Sequence, residues 1–262
     1  MVAARSSDPI MTARGIVNRF GRQHVHDGVD LDIERGEILG IAGGSGSGKS
    51  VLLKTLTGLH KPNRGEVLID GKPVAKISPA EKASLIGVLF QQGALFSSLS
   101  VAQNIMLPMR EHTSLSPEDR HTLAAMKLEL SGLEADAGLK YPSELSGGMV
   151  KRAAFARALA LDPRILFLDE PTSDLDPLTA SGIDALIAQL NRNLGITVVI
   201  VTHDLTTLFT ICRRIAVLVD KKITVDTLEG LRRSKQPWIH EFLHGPRAQG
   251  AMTARKESHG NG

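Results

Sequence analysis

The sequence predicts an α/β fold, and three observations carry the prediction. Short apolar runs alternate with helix-like segments along most of the chain. One run, Glu37 to Ala42, leads straight into a loop almost bare of side chains, and a helix-like stretch follows that loop. A later run, Ile165 to Leu168, ends on two consecutive carboxylates, Asp169 and Glu170.

In chain order, Glu37-Ile38-Leu39-Gly40-Ile41-Ala42 reads as a buried strand, and Ser50 to Thr57 as the helix beyond the loop. Glu66 to Ile69 and Lys72 to Ile77 flank Asp70-Gly71, a dipeptide suited to tight hairpins because both residues tolerate positive φ. Ser78-Pro79-Ala80-Glu81 combines a capping hydroxyl, an early proline and an acid, which predicts a helix start. The region from about Ser100 to Leu161 is helix-rich, with Ser116-Pro117-Glu118 as a second start. Ile165 to Leu168 and Ile196 to Val201 read as two further buried strands. Ile215 to Val219 and Ile223 to Val225 flank Asp220-Lys221-Lys222 and read as a last hairpin. Pro237 opens a final short helix to Leu243. After Gly245 the chain turns polar and glycine-rich, so residues 246–262 are expected to be a disordered tail. There is no internal repeat.

Composition removes several classes of function. The 262 residues suffice for one large or two modest domains, and 42% hydrophobic with 23% charged content is ordinary for a soluble globular protein. A lone cysteine, Cys212, makes no internal disulfide and suits a reducing compartment. The net charge of +3 argues only weakly for an anionic partner. No apolar run reaches the roughly 18 residues of a membrane span, and the N-terminus lacks a signal-peptide core. If the chain serves a membrane, other chains must cross it.

The bare loop is Gly43-Gly44-Ser45-Gly46-Ser47-Gly48-Lys49-Ser50. Gly43, Gly48, Lys49 and Ser50 match the phosphate-binding loop, in its required place between a strand and a helix. The missing side chains let backbone N–H groups wrap nucleotide phosphates, aided by the positive end of the next helix. Lys49 is expected to reach the β- and γ-phosphates, and Ser50 to hold Mg²⁺. Kinases and GTPases share this motif, so it assigns phosphate binding and not the reaction.

At the end of Ile165-Leu166-Phe167-Leu168, Asp169 is expected to act on Mg²⁺ through water, and Glu170 to polarise the attacking water. Leu145-Ser146-Gly147-Gly148-Met149 precedes a helical pattern, so Ser146, Gly147 and Gly148 read as a second anion site at a helix N-terminus. Gln91, after Leu89-Phe90, offers a neutral side chain for metal or water. His203, after the strand ending at Thr202, is placed to touch a γ-phosphate. Taken singly, each of these has a bland reading as surface residue, structural histidine or turn. Their order and joint presence argue against coincidence.

At these residues the sequence resembles the ATP-binding cassette ATPases of ABC transporters, over roughly residues 12–245. "GGSGSGKS" is similar to Walker A, "ILFLDE" to Walker B with its catalytic glutamate, and "LSGGM" to the signature motif. Gln91 matches the Q-loop, Asp174-Leu175-Asp176 the D-loop and His203 the switch histidine; Phe20, in "NRFG", sits where the family stacks an aromatic on adenine. The resemblance implies a RecA-like core, an antiparallel β subdomain and a helical signature subdomain over about 95–160. It also implies ATP and Mg²⁺ as ligands and a head-to-tail homodimer, each ATP lying between one Walker A and the other chain's signature.

"FQQGALF", "PMREHTSL" and "SELSGGM" further resemble the ATPase of Mce-type phospholipid transporters, the maintenance-of-lipid-asymmetry group. That resemblance implies a peripheral place on the cytoplasmic face of a bacterial inner membrane. It implies an integral permease, a periplasmic Mce-domain lipid-binding partner, and a small STAS-domain protein. "DEPTSDLDP" is the generic cassette form, and the segment after Ile215 is short for the group. By the same resemblance, Leu95, Phe96 and Leu99 would receive the permease, unless they fill the helical core. Two alternatives remain: a cassette for another solute, and a soluble cassette working on nucleic acid or ribosomes. The second usually carries two cassettes or a long coiled-coil insert, and this chain has neither, so no nucleic-acid partner is expected.

Overall fold

Two strands open the described residues, joined by a turn at Gly21: β1 (Pro9–Phe20) and β2 (Gln23–Glu34). Their antiparallel register slips at Pro9/Met11, Ala13/Ile16, Ile16/Val17 and Asn18/Arg19. The bulges interrupt the apolar–polar alternation along β1, whereas Val29-Asp30-Leu31-Asp32-Ile33-Glu34 of β2 keeps a period-two pattern with Val29, Leu31 and Ile33 buried. The structure, a computed structural model, describes residues 9–91 and 93–259, with 253–259 by backbone alone. Gln92 of "FQQGALF" and the tail's last residues, 260–262, lie outside the described residues.

The predicted strand and helix about the bare loop are β3 (Ile38–Ala42), buried at every residue, and α1 (Lys49–Leu56). The Asp70-Gly71 hairpin joins β4 (Arg64–Ile69) to a two-residue β5 (Lys72–Pro73), a single 3₁₀ turn completing the expected second arm. Ser78 caps α2 (Pro79–Leu85) by accepting from the Glu81 amide at 3.2 Å, as the sequence predicts. After β6 (Ile86–Leu89) come α3 (Val101–His112), capped reciprocally by Ser100 and Gln103, and α4 (Pro117–Leu130), capped by Ser116. Ser146 caps α5 (Gly147–Ala158), and β7 (Ile165–Asp169) follows. In α6 (Pro177–Leu194), Ile183, Leu186, Ile187 and Leu190 fall on one buried stripe at helical spacing. The chain continues through β8 (Thr197–Val201), α7 (Leu205–Thr210), β9 (Arg214–Val219) and β10 (Lys222–Asp226). The last hairpin turns on Asp220 and Lys221, both at positive φ, as a two-residue turn matched to strand twist requires. α8 (Leu228–Leu231), α9 (Pro237–His244) and α10 (Pro246–His259) close the described chain.

The chain divides into two units. The first comprises residues up to Ile77 and from Val201 onward; it carries the antiparallel sheet β2-β1-β4-β5 and the run β10-β9-β3, in which β3 and β9 are parallel. The second, Ser78–Ile200, carries the run β8-β7-β6, in which β6 and β7 are parallel, and the helical core of Val101, Ile105, Met109, Leu128 and Ala153. Leu95 packs on that core whereas Phe96 stands 52% exposed, so the three expected interface residues do not share one role.

The tail departs from expectation. Residues 246–259 form α10, not a disordered segment, and Ala248 and Ala251 are buried against Leu208, Phe209, Ile239 and Leu243. Alanines one helical turn apart let two helix backbones approach closely, yet add little to the hydropathy that separates a docked helix from a loose tail.

In the first unit the Arg214 guanidinium meets the fully buried Glu37 carboxylate through two bonds, 2.9 and 2.7 Å, and also donates to the Asp32 carbonyl at 2.8 Å. The Glu37 bonds hold the Arg214 pKa above its usual value. Arg214→Met strands a buried carboxylate and should lower unfolding free energy by about 3–5 kcal/mol. The double variant Glu37→Leu/Arg214→Met should recover most of that loss in chemical denaturation. An additive double variant would show that the pair is not coupled.

Candidate functional site

The phosphate-binding loop has no room for side chains at its two ends. At Gly43 (φ +157°) a Cβ would lie 2.6 Å from the Leu218 carbonyl oxygen, and at Gly48 (φ +101°) 2.4 Å from a Val25 methyl. Lys49 curls over the loop, its ammonium donating to the Gly43 and Gly44 carbonyls at 2.8 and 3.0 Å. Among the described residues no side chain caps α1, and none hydrogen-bonds the buried Ser47 hydroxyl. An uncapped helix start, an orphaned hydroxyl and a lysine ammonium make a donor-rich cradle that fits a nucleotide's phosphates. Ser50 is exposed on the first turn of α1.

A polar chain supports the loop from beneath. Thr55 Oγ1 donates to the Val51 carbonyl at 2.8 Å and accepts from Asn18 Nδ2 at 2.9 Å, and the same amide nitrogen stands 2.9 Å from His26 Nδ1. An amide nitrogen only donates, so Nδ1 is the acceptor and the imidazole proton is on Nε2. That edge faces the Gly48 backbone without closing a well-aligned bond: Nε2 lies 2.8 Å from where a Gly48 Cβ would be. Burial, in part countered by the Gly48 carbonyl, lowers the His26 pKa to about 4. From α9, Trp238 lies beside Gly44, its ring stacked on Phe242 at 4.7 Å. Neither His26 nor Trp238 was among the expected residues, and nothing in their local sequence marks them.

Phe20 ends β1 with one face stacked on His60 at 5.2 Å and nearly half its surface exposed. His203 is exposed just beyond β8, where the Thr202 amide donates to the Ile41 carbonyl of β3 at 3.2 Å. The first unit thus holds Phe20, Gly43 to Ser50 and His203.

The second unit holds Gln91, Ser146 to Gly148, Asp169, Glu170 and Asp174. Strand β7 delivers Asp169 and Glu170 about nine-tenths buried, and Glu170 sits at φ +50°, strained for a residue with a Cβ. The Glu170 carbonyl accepts from Lys151 Nζ at 3.1 Å, Ser173 Oγ at 3.0 Å and the Ser173 amide at 3.3 Å. Burial lowers the Lys151 pKa, and the carboxylates of Asp174, Glu170 and Asp169 push it back up. Asp174 is itself at φ +63°. Its neighbour Asp176 is a helix cap, accepting from the Leu178 and Thr179 amides at 3.1 and 3.0 Å. Gln91 is exposed in the turn after β6.

Ser146 uses its hydroxyl as acceptor for the Met149 amide at 3.3 Å, and a Cβ on Gly148 would lie 2.7 Å from a Thr179 methyl. Lys151 and Arg157 of α5 were not among the expected residues, although a signal exists. Both are charges in the alanine-rich "KRAAFARA", on a helix whose buried residues include Ala153, Ala154 and Ala156.

A glycine loop between a fully buried strand and an uncapped helix is the mark of a P-loop nucleotide-binding protein. The model of the ABC transporter family matches residues 26–173. A probable ribonucleotide transport ATP-binding protein of Mycobacterium leprae is 41% identical over 238 residues, 89% of this chain and 68% of that protein. The intermembrane phospholipid transport system ATP-binding protein MlaF of Escherichia coli K12 is 40% identical over 229 residues, 86% of this chain and 85% of that one. A solved ATP-binding cassette, dimeric and post-hydrolysis with ADP and phosphate, superposes with a TM-score of 0.76 at 34% identity, covering 83% of this chain and 98% of its own. The chain belongs to the ABC transporter family, in which it is an ATP-binding ATPase cassette.

The support beneath the loop predicts a pH dependence. Above pH about 6.5 His26 is neutral whether folded or unfolded; as pH falls toward about 4 the unfolded chain takes up the proton first, so stability declines. His26→Gln keeps an acceptor for Asn18 and removes the titration, so its melting temperature should fall less between pH 6.5 and 4.5 than that of the unaltered protein. Parallel melting curves would refute this account.

Proposed function

We propose that this chain hydrolyses ATP to drive a membrane permease that moves phospholipid, working as a head-to-tail homodimer of cassettes at the cytoplasmic face of a bacterial inner membrane. The observation that carries the hydrolytic part is Glu170: a buried strand-end carboxylate whose own carbonyl is held by two neighbouring side chains. In this reading Glu170 accepts a proton from the water that attacks the γ-phosphorus. Lys49 and the amides of Gly44 to Gly48 hold the β- and γ-phosphates, and Phe20 stacks on adenine. Ser50 and Asp169 offer Mg²⁺ the oxygen donors it prefers, and Gln91 offers a third to metal or water. Magnesium, when bound, neutralises charge on the phosphates. His203 hydrogen-bonds the γ-phosphate. Ser146, Gly147 and Gly148, together with Asp174, serve the nucleotide held by the partner cassette.

The phospholipid cargo is supported by similarity to MlaF, named for intermembrane phospholipid transport, with each chain largely covered. The mycobacterial relatives are named for ribonucleotide transport, and the chain spans about two thirds of their length, so a polar solute is the second reading. A periplasmic Mce-domain carrier and a small STAS-domain protein complete the proposed complex. Phe96 is proposed as a permease contact. It stands exposed, and its own amide and carbonyl are tied to the Asn104 side chain at 2.8 and 3.1 Å, so the ring is presented from a fixed backbone.

Variants at Glu170, Lys49 and Phe96, with the lipid content of the permease, test this reading. Glu170→Gln should keep ATP affinity while turnover falls by about 10²–10⁴. ATP should then trap a dimer visible by light scattering, whereas Lys49→Ala should lose affinity. Full turnover in Glu170→Gln would remove it as the base. Phe96→Glu should bind ATP normally yet fail to co-purify with the permease, and the permease isolated with the unaltered chain should retain phospholipid. Normal assembly would move the contact elsewhere, and a permease free of lipid would favour the polar-solute reading.

A further inference from the structure

Lys151 belongs to none of the motifs that carry phosphate or metal, yet it joins three of the segments about them. Its side chain is 7% exposed, and its ammonium donates to the Gln91 carbonyl, to the Glu170 carbonyl at 3.1 Å and to Ser173 Oγ at 3.3 Å. An ammonium has three protons, and all three find acceptors. Glu170 is held at φ +50°, a conformation that persists only where its surroundings over-determine it. Lys151 and Ser173 supply that determination at the carbonyl. Six residues further along α5, Arg157 donates to the carbonyls of Gly93 and Ala94 at 2.9 and 2.7 Å, and both of those residues are also at positive φ. One helix therefore grips the segment after β6 at Gln91, Gly93 and Ala94 and the backbone of Glu170 at once. That helix begins at Gly147, capped by Ser146.

We infer that Lys151 is a positioning residue for ATP hydrolysis. Through two backbone carbonyls it fixes the Glu170 carboxylate relative to the Gln91 side chain and ties both to the helix that starts at Ser146. The inference rests on the proposal that Glu170 is the base. A buried lysine that merely completed the packing would affect stability and every kinetic parameter together. A positioning lysine acts on the chemical step alone, because none of its acceptors lies in the phosphate-binding loop.

The test uses the full-length chain and Mg-ATP. Lys151→Met keeps the apolar stem and removes all three donors. It should lower kcat by about 10–100-fold, the scale of a misplacement near 1 Å, while KM for ATP stays within about twofold. Lys151→Arg, which restores charge and donors, should return kcat to within about fivefold of the unaltered protein. Ser173→Ala removes the other side-chain donor to the Glu170 carbonyl and should lower kcat by about 3–10-fold with KM unchanged. It keeps the inference testable if Lys151→Met does not fold. An unchanged kcat in Lys151→Met, or in Ser173→Ala where that variant must stand in, would overturn the inference. So would a loss of kcat and ATP affinity in proportion with no rescue by arginine. Glu170→Gln, assayed alongside, separates the failures: if it turns over normally the base is misassigned, and if it alone is inactive only the positioning role fails.

Discussion

A backbone that must approach phosphates closely has to be supported by other atoms, because it has surrendered its own side chains. In the first unit that support comes from three directions. Strand β3, buried along its whole length, delivers the chain at Gly43; the Leu218 carbonyl closes the space where a Gly43 side chain would go; and Val25 with His26 closes it at Gly48. Any larger residue at those ends would have to displace backbone or packed side chains rather than solvent. The loop is therefore shaped by contact with the elements around it as much as by its glycines.

The second unit meets a different constraint. Carboxylates at the end of a buried strand need counter-charge, and the backbone that aims them is strained. Lys151 answers both needs with one side chain, facing Asp174, Glu170 and Asp169 as charges while bonding to carbonyl oxygens. A lysine so placed loses much of its hydration, and three hydrogen bonds replace what water would have given. The Glu37–Arg214 pair of the first unit follows the same rule, a buried acid made tolerable by a bidentate partner.

Helix ends follow local chemistry throughout. Ser78, Ser100, Ser116, Ser146, Asp176 and Asp204 each accept from an amide in the helix that they open. α1 is the exception that matters, because it begins at Gly48 with its amides uncapped. Capping is worth roughly 1 kcal/mol to a helix, and its omission at the phosphate loop is what leaves those donors for a ligand.

Much of this was legible from residues alone. The glycine loop, the strand-end acids, the capped helix starts and the Asp70-Gly71 turn are local: each depends on the conformational preferences of a few adjacent residues, and those preferences survive folding. Strand β2 carries the period-two signal in Val29-Asp30-Leu31-Asp32-Ile33-Glu34 and was legible there, whereas β1 was not, because its register shifts break the alternation on which strand reading depends. Nor was α10, which docks through Ala248 and Ala251, residues whose contribution is closeness rather than hydropathy. The roles of His26, Trp238 and Lys151 belong to the same class. Sequence determined which groups are proposed to touch phosphate, metal and water, because that chemistry demands particular residue types at fixed spacing. Only the tertiary structure decided what holds those groups in place, because a hydrogen bond from Lys151 to the carbonyls of Gln91 and Glu170 spans residues whose distance in the chain says nothing about their distance in space.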